Sequence, residues 1–331
     1  MTNSVKMNLA VVAGGDSGEY EVSIRSAAVV MKYLDSNKYN AVLIHLRGSR
    51  WTYKNERSEE CNVDKDDFSV VINQQKIRFE CVFIIIHGTP GEDGKLQGYF
   101  DMLKIPYTTC GSITSALTFN KSYCNGVVKS LGVTTSASVH LFKGKPYDPA
   151  DILKITGLPC FVKPNCGGSS VGMTKVKAVN DLIPAIMTAF DEDHEVLVES
   201  FFKGREITCG VFTNGGTVEA LPILEVVSKK EFFDFEAKYN PVLADELLPA
   251  PIPFDVWQDC QETSVKLYNQ LGCAGVVRFD YLFNNNTLNF LEVNTVPGLS
   301  EQSIVPKMAR YAGYTLTEFY DILIQDTISR Q

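Results

Sequence analysis

Arg278-Phe279-Asp280 and Leu291-Glu292-Val293-Asn294 lie in two apolar runs separated by Asn284-Asn285-Asn286. The asparagines read as a tight hairpin turn, which makes the two runs neighbouring strands. Residues two apart on a strand share a face, so Arg278 points with Asp280 and Glu292 points with Asn294. Two carboxylates and an amide form an all-oxygen set. Hard cations such as magnesium take this set, with ATP phosphates completing the octahedron. An exposed hairpin face with a surface ion pair would show the same pattern.

A second group surrounds Lys163 in Phe161-Val162-Lys163-Pro164, a lysine inside an apolar strand. It is followed by Asn165-Cys166-Gly167-Gly168-Ser169-Ser170-Val171-Gly172. Backbone N–H groups of such a turn can wrap a phosphate, and glycines permit the close approach. The P-loop pattern G-x-x-x-x-G-K-[ST] is absent, and a flexible surface loop fits the turn equally well. Val196 to Glu199 ends a strand with an acid and Gly204-Arg205-Glu206 adds another, though strand-end acids are common as solvated termini. Gly14-Gly15-Asp16-Ser17-Gly18-Glu19 leads into a helix, whose N-terminus favours an anion. Its spacing is not that of the dinucleotide fingerprint. His87, between an apolar strand and Gly88, reads as structural at least as readily as catalytic.

The elements that must position these groups fall into three blocks: residues 1–110, 111–201 and 202–331. In the first, apolar strands at Leu9–Ala13, Ala41–Leu46 and Cys81–Ile86 alternate with helical patterns such as Glu21–Leu34. This predicts an α/β unit with a parallel sheet covered on both faces. The second holds a helix over Lys121–Leu131 and strands around Ser136, Phe161 and Val196. The third has strands over Thr217–Val227, Val276–Phe283 and Leu288–Val293, a helix at Gln258–Leu271 and two helical segments at the end. A polar stretch from Ser228 to Pro253 interrupts it, and a loop of that length suggests a lid.

Composition narrows the class. The chain has 331 residues, 45% hydrophobic and 21% charged, with a net charge of −8. It has no lysine- or arginine-rich run, which argues against nucleic acid as a partner. The nine cysteines include no C-x-x-C pair, and scattered thiols fit a reducing, cytoplasmic setting. No apolar run is long enough to cross a bilayer, and the early apolar stretch is too short for a signal-peptide core.

Five segments in chain order carry a resemblance. They are Gly14 to Ser23, His87 to Gly94, Gly168 to Met173, Glu236-Ala237-Lys238-Tyr239, and Glu292 to Gly298. Together they resemble the D-alanine–D-alanine ligases, members of the ATP-grasp fold, over essentially the whole chain. The resemblance implies N-terminal, central and C-terminal ATP-grasp domains, with ATP between the last two. It implies Lys121 and Lys163 on the ATP phosphates, Glu199 on the adenine amino group and Glu206 on the ribose. Phe201 and Phe202 would belong to the same nucleotide site, and Lys238 would reach the transferred phosphate from the lid. Asp280, Glu292 and Asn294 would hold two magnesium ions, with manganese an alternative. Glu19 would pair with the ammonium of the first D-alanine and join Ser169 and Tyr239 in a hydrogen-bonded group. Arg278 and the Gly298 N–H would bind the oxyanion, Ser303 and Ile304 would line the second D-alanine site, and His87 would face substrate. A homodimer that supplies peptidoglycan precursor is the further implication.

The chain departs from the family at Tyr20, where many relatives carry arginine, in the variable Asn165-Cys166-Gly167 and in the lid tail from Asn240 to Glu246. Cys166 reads as a bystander in that variable setting. Two rivals are a depsipeptide-forming relative that uses D-lactate, against which Tyr239 speaks, and a non-catalytic nucleotide-binding regulator. The full set of lysines, acids and arginine speaks against the second.

Overall fold

The computed structural model describes residues 6–228, 244–285 and 287–330. Strand β1 (Met7–Gly14) leads to helix α1 (Tyr20–Tyr33) and strands β2 (Tyr39–Arg47), β3 (Arg50–Lys54), β4 (Glu60–Asn62), β5 (Ser69–Ile72), β6 (Gln75–Arg78) and β7 (Cys81–Ile84). Helices α2 (Lys95–Leu103), α3 (Ser112–Phe119) and α4 (Lys121–Ser130) follow. The middle segment holds β8 (Ser138–Phe142), α5 (Pro149–Thr156), β9 (Cys160–Pro164), β10 (Thr174–Val176), α6 (Leu182–Glu192) and β11 (Glu195–Ser200). The last comprises β12 (Arg205–Asn214), β13 (Thr217–Ala220), β14 (Leu224–Ser228), β15 (Ala244–Leu247) and α7 (Phe254–Gln270). It continues through β16 (Val277–Asn284), β17 (Thr287–Asn294), α8 (Ile304–Tyr311) and α9 (Leu316–Ser329).

Three main sheets result, in an α/β architecture. The first has the order β4-β3-β2-β1-β7. Its strands β2, β1 and β7 are parallel, as their continuous apolar runs predict. The sheet as a whole is mixed, because β3 and β4 add antiparallel strands at one edge. These and the β5–β6 hairpin were not expected from sequence; they are short and partly exposed, without the long apolar runs that marked β1, β2 and β7. The second sheet, β10-β9-β11-β8, is antiparallel throughout. The third runs β15-β14-β12-β16-β17, with β13 also paired to β12.

Two expectations change here. The predicted single strand over Thr217–Val227 is two, β13 and β14, interrupted by Leu221-Pro222-Ile223. Pro222 has no N–H to give a ladder, and the pairing with β12 is interrupted there. The predicted loop over Ser228–Pro253 is also partly strand: Ser228 closes β14, and Ala244–Leu247 pairs with it as β15. Residues 229–243, with Lys238 and Tyr239, lie outside the described residues.

Packing unites the first and third sheets more closely than their separation in sequence suggests. One apolar cluster joins Leu9, Val11 and Phe83 of the first sheet to Phe212 and Leu224 of the third through Met308, Phe319, Tyr320 and Ile324 of α8 and α9. The second sheet has its own core, built from Val162, Val196 and Val198 with Leu182, Ile186 and Ala189 of α6. Helices α3 and α4, grouped by sequence with the second block, pack on β17 of the third sheet, and Cys124 and Val128 join its core.

β16 is aimed by the turn before it. Gly275 has φ +65°, and a Cβ there would meet the Thr108 carbonyl oxygen at 2.0 Å. Gly275→Ala therefore strains the backbone and forces that contact apart, which should destabilise by at least about 2 kcal/mol. Urea unfolding that shows a lower midpoint at constant slope is the expected result, and an unchanged midpoint would contradict it.

Candidate active site

Four loops meet at the ends of these sheets. Glu19 stands at the start of α1 but makes no capping bond with its side chain. Its Oε1 instead accepts a 2.6 Å hydrogen bond from Ser169 Oγ, across 150 residues of sequence. Ser169 is buried and holds φ +54°, a left-handed conformation that a non-glycine residue adopts only under constraint. A Cβ on the preceding Gly168 would lie 3.0 Å from Glu19 Oε2, so the loop's backbone comes right up to the carboxylate. Ser17 Oγ donates to the His87 carbonyl at 2.7 Å and accepts from the Glu19 N–H at 3.2 Å, which ties the first glycine turn to the exit of β7.

His87 is buried, and its Nδ1 lies 2.6 Å from the Val296 carbonyl oxygen. Burial holds its pKa below the ordinary imidazole value, so the neutral ring is favoured, although the Glu19 charge pulls the other way. Its Nε2 is buried without a hydrogen-bond partner among the described residues. Glu92, quoted with the motif but given no role from sequence, joins the same loops. Its Oε2 accepts from the Gly88 N–H at 2.8 Å and its Oε1 from the Val296 N–H at 2.9 Å.

The second cluster is nucleotide-like in chemistry. Lys163 and Glu199 are both buried and form an ion pair at 2.5 Å, from β9 to its neighbour β11. Asn125 of α4 donates to Glu199 Oε1 at 2.8 Å. Phe201 lies 5.9 Å from Phe161, and the Lys175 ammonium sits 3.7 Å over the Phe201 ring. Phe202 follows it, against Gly204. Lys121 begins α4 and donates through Nζ to the Gly167 carbonyl. Cys166 is inert here: burial, with Asp193 and Glu195 nearby, pushes its thiol up to about 11.

The third cluster follows the predicted hairpin. Arg278 faces Asn294 and Asp280 faces Glu292 in the β16–β17 register, with an irregularity just after Asp280. Arg278 grips Asp280 through two bonds of 2.8 Å, Asn294 donates to Asp280 Oδ2 at 2.9 Å, and Thr208 of β12 donates to Oδ1 at 2.5 Å. Burial opposes the Arg278 charge, but Asp280 foremost, then Glu292 and Glu206, raise its pKa above the ordinary value. Thr208 was not singled out from sequence. Glu206, two residues earlier on β12, lies opposite Leu282. No group of three or more His, Cys, Asp or Glu side chains is gathered as a metal site among the described residues. The donor set Asp280, Glu292 and Asn294 contains two acids and one amide, a mixture that suits a hard cation.

Beyond Asn294 the chain turns through Val296 to Gly298. A Cβ at Gly298 would meet Ser303 Oγ at 2.8 Å, so the loop packs directly on the start of α8. Ser303 Oγ lies 2.7 Å from Ser300 Oγ, and Ile304 opens the helix against the shared core. The clusters are within electrostatic reach of one another. Arg278 acts on both His87 and Glu92, and Lys121 and Glu292 both act on Cys124.

The family models for the D-ala D-ala ligase N-terminus and C-terminus match residues 8–110 and 128–325. The chain belongs to the D-Ala–D-Ala ligase family. A D-alanine--D-alanine ligase from Bacteroides fragilis is 42% identical over 323 residues, covering 97% of this chain and 99% of the relative. One from Flavobacterium johnsoniae is 43% identical over 318 residues, covering 96% and 98%. Among solved structures, the VanG D-Ala:D-Ser ligase from Enterococcus faecalis aligns with TM-score 0.85 at 30% identity, over 97% of this chain and 99% of that one. A D-alanine--D-alanine ligase from Bacillus anthracis in complex with ATP aligns with TM-score 0.78 at 27% identity, over 98% of each chain. The ATP-grasp fold and a ligase activity follow for this chain. No helix among its described residues is long and apolar enough to cross a membrane.

In this ligase Glu92 has a measurable signature. Its carboxyl is pushed from 4.5 up to about 7, first by loss of water and next by the Glu19 charge. A raised carboxyl pKa means that the fold prefers the protonated form. The stability this adds is complete below pH 4.5 and is lost as pH rises through about 7. A shift of that size corresponds to at most about 3 kcal/mol. Urea unfolding of wild type and Glu92→Gln at about pH 5 and pH 8 should show wild type losing 1–3 kcal/mol relative to the variant on going up, an order-of-magnitude expectation. A pH-independent difference between the two proteins would contradict it.

Proposed function

We propose that this ligase joins two D-alanine molecules at the expense of ATP, through a D-alanyl phosphate, and so supplies peptidoglycan precursor. The observation that carries the reading is the convergence of Glu19, Ser169, His87 and the Val296–Gly298 loop beside the Arg278–Asp280–Glu292 hairpin. An acid for an ammonium and a cation for an oxyanion stand together there.

A carboxylate resists attack by an amine because it is charged and resonance-stabilised. Transfer of the ATP γ-phosphoryl group to one carboxylate oxygen gives an acylphosphate and ADP. Lys121, Lys163 and, from the lid, Lys238 would neutralise the transferred group, with Glu199, Phe201, Phe202 and Glu206 holding the nucleoside. Asp280, Glu292 and Asn294 would hold two magnesium ions, or manganese. Bound there, the metal supplies charge neutralisation at the phosphates. Glu19 would take the first D-alanine's ammonium, and His87 Nε2, without a hydrogen-bond partner among the described residues, offers a polar contact to substrate. The second D-alanine, against Ser303 and Ile304, loses a proton and attacks the acyl carbon. Arg278 and the Gly298 N–H would stabilise the oxyanion before the C–O bond to phosphate breaks, and one such donor is typically worth ~3 kcal/mol. Tyr239 would complete the group of Glu19 and Ser169. The domain divisions at residues 110 and 201, a cytoplasmic setting and a homodimer belong to the same reading.

D-Serine is a second reading for the acceptor, because a D-Ala:D-Ser ligase stands among the structural neighbours. The relatives near 42% identity carry the D-alanine name, which favours D-alanine. Phosphate release from ATP should need D-alanine, and competition with D-serine should yield chiefly D-alanyl-D-alanine. Glu292→Gln should lower kcat by about a hundredfold or more with an unchanged melting curve. ATP turnover indifferent to D-alanine, or a folded Glu292→Gln variant of near-normal rate, would overturn the assignment.

A further inference from the structure

Behind the glycine-serine loop, outside the groups that would touch substrate, one carboxylate collects three donors at a single oxygen. Glu195, the first residue of β11, accepts at Oε2 from Asn165 Nδ2 at 2.8 Å and from Asn120 Nδ2 at 3.2 Å, and His140 Nε2 lies 2.7 Å away. Asn165 is fully buried and Asn120 nearly so. What the two amides do with their oxygens is the point. The N–H groups that open a helix have no partner within it. In α4, the Lys121 N–H donates to the Asn165 carbonyl at 3.1 Å, and the Ser122 N–H to Asn165 Oδ1 at 2.9 Å. The Tyr123 N–H donates to Asn120 Oδ1 at 3.1 Å. Three successive orphan donors are thus taken by two asparagines, and one carboxylate orients both. The sheet ladder holds Glu195 in turn: its carbonyl accepts from the Asn165 N–H at 2.9 Å, and β11 pairs Glu195 with Phe142 of β8.

We propose that Glu195 is a positioning residue for ATP, acting through Asn120 and Asn165 to fix the start of α4 and the loop after β9. Lys121 is the first residue of that helix, and its ammonium donates to Gly167 within that loop. A carboxylate that locks both amides therefore sets where Lys121 and the loop's N–H groups stand relative to each other. It also brings negative charge to the positive end of the α4 dipole through the amides. α4 packs on the third sheet while β9 and β11 belong to the second, so the same clamp fixes the two walls at one point. His140 meets the same carboxylate oxygen, its ring 5.8 Å from that of Tyr123 of α4. The proposal rests on the reading that Lys121 and this loop meet the ATP phosphates.

Steady-state phosphate release, with ATP and D-alanine varied separately, tests it in four variants of the full chain. Glu195→Ala should raise KM for ATP about tenfold, the scale of losing a charge-assisted hydrogen bond, with KM for D-alanine within about twofold of wild type. Glu195→Gln keeps an acceptor oxygen and should recover most of the loss. Asn120→Ser keeps a capping oxygen for the Tyr123 N–H but removes the amide donor to Glu195, and should reproduce part of the effect if Glu195→Ala does not fold. Lys121→Met reports on the underlying reading. If it raises KM for ATP while folded Glu195→Ala and Asn120→Ser do not, the clamp is wrong and the phosphate reading stands. If Lys121→Met itself leaves KM for ATP unchanged, the phosphate reading fails and the clamp with it. Equal rises in both KM values, or a fall in kcat alone, would mark Glu195 as merely structural and also overturn the proposal.

Discussion

The antiparallel register of β16 on β17 is the constraint on which the site depends. It sets Arg278 across from Asn294 and Asp280 across from Glu292, and no slip is tolerable. A slip of β17 by one residue would turn Glu292 and Asn294 toward the apolar face that packs on α7, where Phe279, Tyr281 and Phe290 now sit. The same register decides where Val296 emerges. From there one backbone unit donates to Glu92 and accepts from His87, so the hairpin also fixes the loops of the first sheet.

Charge at the site is balanced by geometry rather than by number. Asp280, Glu292 and Glu206 act on the Arg278 guanidinium, which in turn acts on Glu92, and Asp280 and Glu92 each have their own set of donors. Asp280 receives Thr208, Asn294 and both arms of Arg278. Glu92 has only two backbone donors and remains the acid whose ionisation burial opposes most plainly. Buried groups with shifted ionisation cluster where chemistry is done, and Glu92 is an instance of that.

Sequence made the hairpin legible because its two-residue periodicity places four polar groups on one face of otherwise apolar strands. The parallel core of the first sheet was legible for a related reason, since Leu9 to Ala13 of β1 and the whole of β7 are apolar without interruption. The antiparallel edge of that sheet was not, because β3 and β4 are short and partly exposed, and the strand-forming Trp51-Thr52-Tyr53 is a brief signal between charged neighbours. Glu92 and Thr208 were missed for another cause. Each acts by touching backbone or a side chain distant in sequence, and such pairings leave no local pattern. Glu195 was missed in the same way: its partners Asn120, His140 and Asn165 come from three different segments. The placement of α4 on the third sheet was likewise invisible, since an amphipathic helix does not declare which sheet it will cover.

The division of the apolar cores has a mechanical consequence. The first and third sheets are sealed together through α8 and α9, whereas the second sheet keeps its own oil beneath α6. Between them, the contacts described at the site are polar: Ser169 to Glu19, Lys121 to Gly167, Asn125 to Glu199, and the asparagines to Glu195 and the start of α4. Hydrogen bonds exchanged for bonds to water are nearly neutral in free energy, while exposing a core is not. The seam is therefore the cheap place for the molecule to part, like a book whose covers are rigid and whose spine is stitched with polar thread. The two bodies can part there without either board being unpacked.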